Sequence, residues 1–320
     1  MDRIKGSLEL LSDIQLTADM EGLDAESKTL LRNKEVLAVI LQGVVEEYAG
    51  YSLKDIMGFI GPVNGDQEVS PGRTNSQIRG ENAETIHLNE KTSYFDMAFR
   101  AKDPRCSDGD VQVSLHIDIE MQKRYKMPYP IEKRGMYYLP RRLSSQLSLA
   151  TEDTDYDQLE KCYSIWICRD RIPKDSRYSI SFYRVTNTQT IGAGMVPKEH
   201  YDLMTLVVIK LGHKVYNGRK GEDGYSLLRF LNAILYPHRN DFMETITEYV
   251  DLSENEDLRK EAEQVNGLGL SILEEGIQAL ITDNLEEKIP RERIIAKLCR
   301  HFHLTQESAE QYYEQFAVEV

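Results

Sequence analysis

The segment VQVSLHIDIEMQ, residues 111–122, alternates apolar and polar side chains without interruption. This period of two predicts a β-strand, because successive side chains of a strand lie on opposite faces. One face then carries His116, Asp118, Glu120 and Gln122. Two carboxylates, an imidazole and an amide in one row are unusual for a purely structural strand. The strand is therefore the first candidate for a functional site.

A second strand-like segment, TSYFDMAFRA at residues 92–101, places Asp96 among aromatic and apolar neighbours. A carboxylate in such a setting costs free energy unless it is paired or bound to a cation. Turn-forming residues around 107–110 predict a hairpin in which Asp96 and Glu120 face each other near one end. Two such carboxylates offer the hard oxygen ligands that Mg²⁺ or Mn²⁺ prefers. Gln122, on the same face, is placed to orient a water molecule or contact a phosphate.

The N-terminal part of the chain has a helical period. Apolar residues at three- and four-residue steps predict one long amphipathic helix over residues 26–49. A short second helix is expected over 52–60, with Ser52 as its N-cap and Asp55 at the capping-box position. Residues 61–80 are rich in Gly, Pro, Asn and Ser, which predicts a loop or irregular arm.

The remaining elements define the fold class. A helix is expected over 132–148 and strands over 163–168, 178–185 and 201–211. From residue 225 onward the sequence predicts only helices, at 225–236, 240–250, 254–283, 291–302 and 305–316, with Gly267 and Gly269 interrupting the third. The order predicts an α/β (α+β) protein with a mixed sheet flanked by helices over residues 1–224, followed by an all-helical C-terminal module over 225–320.

The net charge of −14 is concentrated in the C-terminal helices. Residues 241–320 contain 19 acidic and 7 basic residues, a balance of −12, which leaves −2 for the first 240. A basic cluster opposed by Glu132 alone can hold a phosphate backbone despite the total charge; its members are Lys123, Arg124, Lys126, Lys133, Arg134, Arg141 and Arg142. The acidic helices are poor DNA binders, which leaves three interpretations: a mimic of nucleic-acid charge over the basic cleft, an oligomerisation surface, or a stabilising appendage.

Several classes of protein are disfavoured. The four cysteines are scattered without a CxxC pair, which argues against zinc and redox sites. No segment approaches the roughly 20 apolar residues of a membrane span, and the N-terminal residues lack the apolar region of a signal peptide, so a cytoplasmic location is expected. No Ser-His-Asp pattern and no complete phosphate-binding glycine loop are present.

The block that follows the candidate strand is distinctive. IDIEMQ is followed by Tyr129 and then by RGMYY at 134–138, an arrangement that resembles the "IEMQ … Y … R … YY" block of Rpn-type nucleases, the transposase-associated branch of the PD-(D/E)XK superfamily. Asp96, Glu120 and Gln122 likewise resemble the D…ExK signature, with glutamine in place of lysine. The resemblance extends from about residue 30 to the C-terminal helices through further matching segments: RRLSSQL at 141–147, YSIWIC at 163–168, YDLMTLVVIKLG at 201–212 and ILEEGIQ at 272–278.

The resemblance implies a restriction-endonuclease-like sheet and a set of residue roles. Asp96 and Glu120 would be the metal ligands, and Gln122 would take the lysine position. The added glutamate of such enzymes would be Glu47, with Glu84 as the alternative. The residues with the remaining roles come near the end of the strand or after it in the sequence. Lys123, Arg134, Arg141 and Arg142 would contact phosphates. Tyr137 and Tyr138 would pack the helix or contact bases.

The function implied by the resemblance is a Mg²⁺- or Mn²⁺-dependent DNA endonuclease that takes part in recombination, mobile-element biology or phage defence. The alternative is a catalytically weak or inactive relative that binds DNA or a protein, because glutamine supplies only dipoles where lysine supplies a charge. A homodimer or higher oligomer is expected, since two symmetric sites most easily cut both strands of a duplex.

Overall fold

The computed structural model describes residues 26–61, 64–65, 68–69, 93–94, 97–105, 114–125, 127–147, 155–212, 224–236, 241–253, 255–302 and 304–317. The chain divides into two compact units. One is Leu31–Asn232, and the other combines Ala233–Val320 with the N-terminal residues up to Leu30. The expected boundary between a sheet-containing part, residues 1–224, and a helical module, residues 225–320, stays a prediction.

The N-terminal helical region differs from the single helix expected over 26–49. Residues 26–31 are helical, the chain turns at residues 32–33, and helix α1 then runs over Lys34–Val44. Asn33 begins α1 as its N-cap, with its side-chain oxygen accepting a hydrogen bond from the Glu35 amide at 3.0 Å. A 3₁₀ turn, Glu46–Tyr48, follows. The continuous-helix prediction is therefore wrong at Asn33 and beyond Val44.

Helix α2, Leu53–Phe59, confirms the second predicted helix and its cap. The Ser52 hydroxyl accepts from the Asp55 amide at 3.2 Å, and the Asp55 carboxylate accepts from the Ser52 amide at 3.2 Å. This reciprocal pair satisfies two of the N–H groups that a helix N-terminus leaves without partners.

A six-stranded mixed sheet in the order β1-β4-β5-β6-β8-β7 forms the centre of the first unit. Its strands are β1 Asn64–Gly65, β4 Met97–Lys102, β5 Ser114–Arg124, β6 Cys162–Asp170, β7 Ser179–Arg184 and β8 Met204–Lys210. Strands β5, β6 and β8 are parallel, whereas β1, β4 and β7 pair antiparallel with their neighbours. The expected mixed sheet flanked by helices is confirmed.

Short strands modify two of the expectations. The segment 61–80, expected to be a loop, contains β1 and β2 (Glu68–Val69), and β2 pairs with β3 (Ser93–Tyr94). The strand expected over 92–101 is thus divided between β3 and β4. The predicted turn at 107–110 lies outside the described residues. The antiparallel pairing of β4 with β5 confirms the strand pair that this turn was expected to join.

Helix α3, Ile131–Ser144, covers one face of the sheet over β6 and β8. A Cβ added to Gly135 would stand 2.5 Å from Leu206 Cδ1 and 3.2 Å from Trp166 Nε1, so only glycine allows this approach. The core beneath the helix is apolar and buried, and its members are Ile131, Leu139, Cys162, Trp166, Cys168, Ile172, Leu206 and Val208. Short 3₁₀ turns lie at Tyr156–Gln158, Lys174–Ser176 and Lys198–His200.

The C-terminal helices confirm the all-helical prediction, and their bounds are α4 Tyr225–Leu235, α5 Phe242–Thr247, α6 Glu256–Glu286, α7 Arg291–Phe302 and α8 Gln306–Ala317. Helices α6, α7 and α8 share a core that is centred on Ile277, Ile281, Ile294 and Leu298. The predicted interruption at Gly267 and Gly269 is wrong, because α6 is continuous through both.

Candidate functional site

Strand β5 lies inside the sheet, between antiparallel β4 and parallel β6. The outermost described pair of the β4–β5 ladder joins Met97 to Ile119. In the sequence, Asp96 directly precedes Met97, and Glu120 directly follows Ile119. Asp96 and Glu84 lie outside the described residues, and of Glu120 only the backbone is described.

On its other edge β5 pairs with β6 through the candidate positions themselves. Glu120 pairs with Trp166 and Gln122 with Cys168. Both partners in β6 are completely buried. The two candidate positions are therefore anchored to a buried strand of the sheet. Lys123 follows on β5, and its side chain, like that of Gln122, is outside the described part of the chain.

Arg134 packs on Trp166, the residue of β6 that pairs with Glu120. Its guanidinium carbon is 5.0 Å from the centre of the Trp166 ring and 5.2 Å from that of Tyr138. Its Nε donates a hydrogen bond to the Tyr138 hydroxyl at 2.9 Å. The Tyr138 ring in turn stacks on Trp166. Contacts of a cation with two aromatic faces hold the guanidinium in a fixed place.

Arg141 and Arg142 lie in the last turn of α3. Arg141 Nη1 donates to the Tyr137 hydroxyl at 2.8 Å, and its guanidinium carbon lies 5.2 Å from the centre of that ring. Tyr137 is 51% exposed, whereas Tyr138 packs on Trp166. The two tyrosines of the sequence block therefore differ: one packs the helix, and the other is open to solvent beside an arginine.

The structure places Glu47 in a buried ion-pair network. Its carboxylate accepts hydrogen bonds from the Tyr163 hydroxyl and from Arg105, and from Lys161 Nζ at 3.1 Å. Lys161 also donates to Asp202 Oδ2 at 2.7 Å. The Glu47 side chain is fully buried.

This network is remote from the Glu120 position. Tyr163 pairs with Ile117, which precedes Glu120 by three residues, or about 10 Å along a strand. By strand alternation Tyr163 and Trp166 also lie on opposite faces of β6. The structure thus brings Arg134 to the partner of Glu120, and it does not bring Glu47 there.

The charges of the network influence one another. Burial raises the pKa of Glu47, but the Tyr163 hydrogen bond and the charges of Lys161 and Arg105 outweigh burial, so its pKa lies below the ordinary value of 4.5. Burial and the adjacent Glu47 carboxylate raise the pKa of Tyr163 far above its usual range, which keeps that hydroxyl a donor. Sequence reasoning missed this network because its partners are distant in the chain and no local pattern joins them.

A cavity of about 410 Å³ adjoins the network. Acidic residues dominate its charged lining, which comprises Glu46, Glu47, Asp103, Glu160, Glu199 and Asp202 with Arg105, Lys161 and Lys198. Most of these charges are paired with one another. Such mutual pairing is typical of a structural ion network.

Within the described residues, no group of three or more His, Cys, Asp or Glu side chains is arranged to hold a metal ion. The carboxylates assigned that role from the sequence, Asp96 and Glu120, are not among the side chains that the structure describes. Their chemistry nevertheless fits a hard divalent cation, because both offer carboxylate oxygens.

Comparison with known proteins finds a family match within the first unit. Residues 81–211 match the family model of the PD-(D/E)XK nuclease family transposases. The matched range contains β4 to β8 and α3, and with them Asp96, Glu120, Gln122 and Arg134. No curated protein and no solved structure matches the chain. The family resemblance and the α/β PD-(D/E)XK fold are thereby confirmed, and the segment supports a nuclease-type function.

Proposed function

We propose that this PD-(D/E)XK segment is a divalent-metal-dependent DNA endonuclease with Asp96 and Glu120 as its metal ligands. The observation that carries the proposal is the Met97–Ile119 pair within the matched range. If the ladder continued by one residue in the same register, it would join Asp96 to Glu120. Carboxylates opposite each other on antiparallel strands stand about 4.5–5.5 Å apart at Cβ, close enough to share one ion.

The bound Mg²⁺ or Mn²⁺ would polarise a phosphodiester and favour deprotonation of a water molecule. The chain's own residues supply the remaining functions. Gln122 orients the attacking water through its side-chain amide. Lys123, Arg141 and Arg142 hold the DNA backbone, which fixes the position of the duplex without reading its sequence. Hydrolysis forms one bond from water oxygen to phosphorus and breaks one bond from phosphorus to a sugar oxygen.

Glu84, inside the matched range, is our candidate for an added carboxylate at this site. Glu47 was the first choice from the sequence, but its contacts with Tyr163, Arg105 and Lys161 favour a structural role. Comparing Glu84→Gln with Glu47→Gln separates the two. Glu84→Gln should reduce cleavage without changing stability, and Glu47→Gln should do the reverse.

The direct test of the proposed function is cleavage of supercoiled plasmid with Mg²⁺, with Mn²⁺ and with EDTA. Wild type, Asp96→Ala and Glu120→Ala are compared, and Glu275→Ala, an exposed position on α6, is the matched control. We expect metal-dependent nicking or linearisation by wild type and the control alone. Equal behaviour of wild type and Glu120→Ala would overturn the proposal.

A second candidate function rests on Gln122, which provides no charge at the lysine position. A member of the family that has lost activity would bind DNA, or a protein, without cutting. DNA binding by wild type, with no cleavage over a panel of metals and substrates, would favour this alternative.

The wider biology is also a proposal. We propose a role in recombination, mobile elements or phage defence, carried out in the cytoplasm. Among the described residues, no helix is both long and apolar enough to cross a membrane. A homodimer would cut both strands of a duplex with two symmetric sites.

The C-terminal helices, with a balance of −12 over 241–320, are our candidate for oligomerisation or for covering the basic cleft. Deleting 241–320 tests both roles. Unchanged cleavage and an unchanged assembly state in a soluble deletion variant would overturn them and leave a stabilising appendage.

A further inference from the structure

Position 122 holds glutamine where the PD-(D/E)XK signature has lysine. An amide offers hydrogen bonds but no net charge. Phosphodiester hydrolysis develops negative charge on the phosphate oxygens, and fixed donors or cations near them lower the barrier. A nuclease with glutamine at this position therefore needs a positive charge from elsewhere in its site.

The geometry of α3 places one of its cations over β6, the strand that pairs with β5. Gly135 of α3 lies against both Leu206 of β8 and Trp166 of β6, and Arg134 and Tyr138 lie on Trp166. In the sheet order β5-β6-β8, the residues on β6 are on the side of the helix nearer to β5. Arg134 thus lies over β6, at the residue that pairs with Glu120 of β5.

In the direction of the strands, Arg134 lies level with Glu120 of β5. The ring that it covers belongs to Trp166, the ladder partner of Glu120, and neighbouring strands lie about 4.8 Å apart. The Trp166 and Tyr138 rings and the Tyr138 hydroxyl fix the guanidinium before any ligand arrives. An arginine keeps its charge at every pH at which DNA is stable, and its planar donors fit phosphate oxygens.

We propose that Arg134 supplies the positive charge that lysine supplies elsewhere in the superfamily, by contacting the non-bridging oxygens of the scissile phosphate. This inference rests on the proposed nuclease function and deepens it. Arg134 gains and loses no proton during the reaction. Its contribution is greatest in the transition state, which distinguishes it from Arg141 and Arg142, whose contacts only position the DNA.

The test separates rate from affinity. Cleavage of a short duplex is followed in a single turnover at saturating enzyme, and the Kd is measured with the divalent metal removed by EDTA. For Arg134→Gln we expect the saturated rate to fall about 100-fold, as for loss of a transition-state donor, while the Kd changes little. Arg141→Gln should mainly raise the Kd, and Arg293→Gln, an exposed arginine of α7, should change neither.

A second substitution tests the exchange of roles directly. Restoring the superfamily's lysine with Gln122→Lys should recover about tenfold of the rate in the Arg134→Gln background, a part of the roughly 100–1000-fold that one donor contributes at such a site. It should recover none in the Arg141→Gln background. A double variant no faster than Arg134→Gln would overturn the inference, as would an Arg134→Gln variant altered only in its Kd.

Folding and function are controlled in the same experiment. Trp166 is the chain's sole tryptophan, so its emission reports the packing beneath Arg134 in each variant. Arg134→Lys retains the charge, and it should cleave faster than Arg134→Gln at equal emission and stability. Active wild type with an equally active Arg134→Gln variant overturns this inference alone, whereas inactive wild type overturns the nuclease function together with it.

Discussion

The Tyr163 hydroxyl donates a hydrogen bond to the Glu47 carboxylate, and both side chains are buried. The pair joins the 3₁₀ turn after α1 to the strand next to β5. Arg105 and Lys161 complete the coordination of the carboxylate. A buried charge whose partners are all in place is tolerated, but it becomes costly when one partner is lost.

Removing the hydroxyl should therefore reduce stability. We expect Tyr163→Phe to lower the free energy of unfolding by about 1–3 kcal/mol, the usual effect of leaving one buried polar group without its partner. Urea denaturation measures the change. Tyr156→Phe, at a 63% exposed position, is the matched control and should have almost no effect. Equal stabilities of the two variants would show that the Glu47 contact contributes nothing.

Stability should depend on pH through Glu47. Its folded-state pKa lies below 4.5, so its ionised form stabilises the fold at pH above about 4.5. That contribution is lost as pH falls through the folded pKa. Glu46 and Glu132 have lowered pKa values too, so the measured quantity is the difference between wild type and Glu47→Gln. This difference should shrink below pH 4.5, and a constant difference would contradict the assignment.

Two helical glycines should respond oppositely to alanine. In Gly135→Ala the new methyl group would meet Leu206 and Trp166, and we expect a loss of about 1–3 kcal/mol from overpacking. Gly267→Ala meets nothing within 4 Å in α6 and should gain about 0.5–1 kcal/mol from helix propensity. Thermal or urea unfolding of both variants measures the changes in stability. We expect Gly135→Ala to be less stable than wild type and Gly267→Ala to be more stable.

DNA binding should show the charge contribution of Arg141. Each neutralised phosphate contributes about 0.9 to the slope of log Kd against log salt concentration. Arg141→Gln should therefore weaken binding at low salt and reduce that slope by about 0.9. Lys260→Gln removes an equal charge from α6 and should leave the slope unchanged. An unchanged slope for Arg141→Gln would exclude a phosphate contact at this residue.

The sequence predicted those helices and strands that are determined by residues close together in the chain. The alternation in 111–122 indicated β5, and the Ser52–Asp55 pair marked the start of α2. The break at Asn33 was missed because the apolar period continues across it, although asparagine is a strong N-cap. The continuity of α6 through Gly267 and Gly269 was missed because packing of the long helix outweighs the weak propensity of glycine.

The site was predictable only in part. The polar row on β5 and the block after it are contiguous in sequence, and the match over 81–211 confirms the family that they indicated. The roles of Asp96, Glu120 and Gln122 stay predictions. The position of Arg134 over Trp166 was not predictable, because it depends on how α3 crosses β6 and β8.

The pairing of Glu120 with Trp166 and of Gln122 with Cys168 also determines how the site can be lost. Their partners in β6 are themselves paired with β8, so the backbone at these positions can open only when the centre of the sheet opens. Local fraying cannot separate this edge of β5 from β6 gradually. A destabilising substitution in the core should therefore reduce the fraction of competent molecules while each surviving molecule keeps the catalytic rate of the wild type.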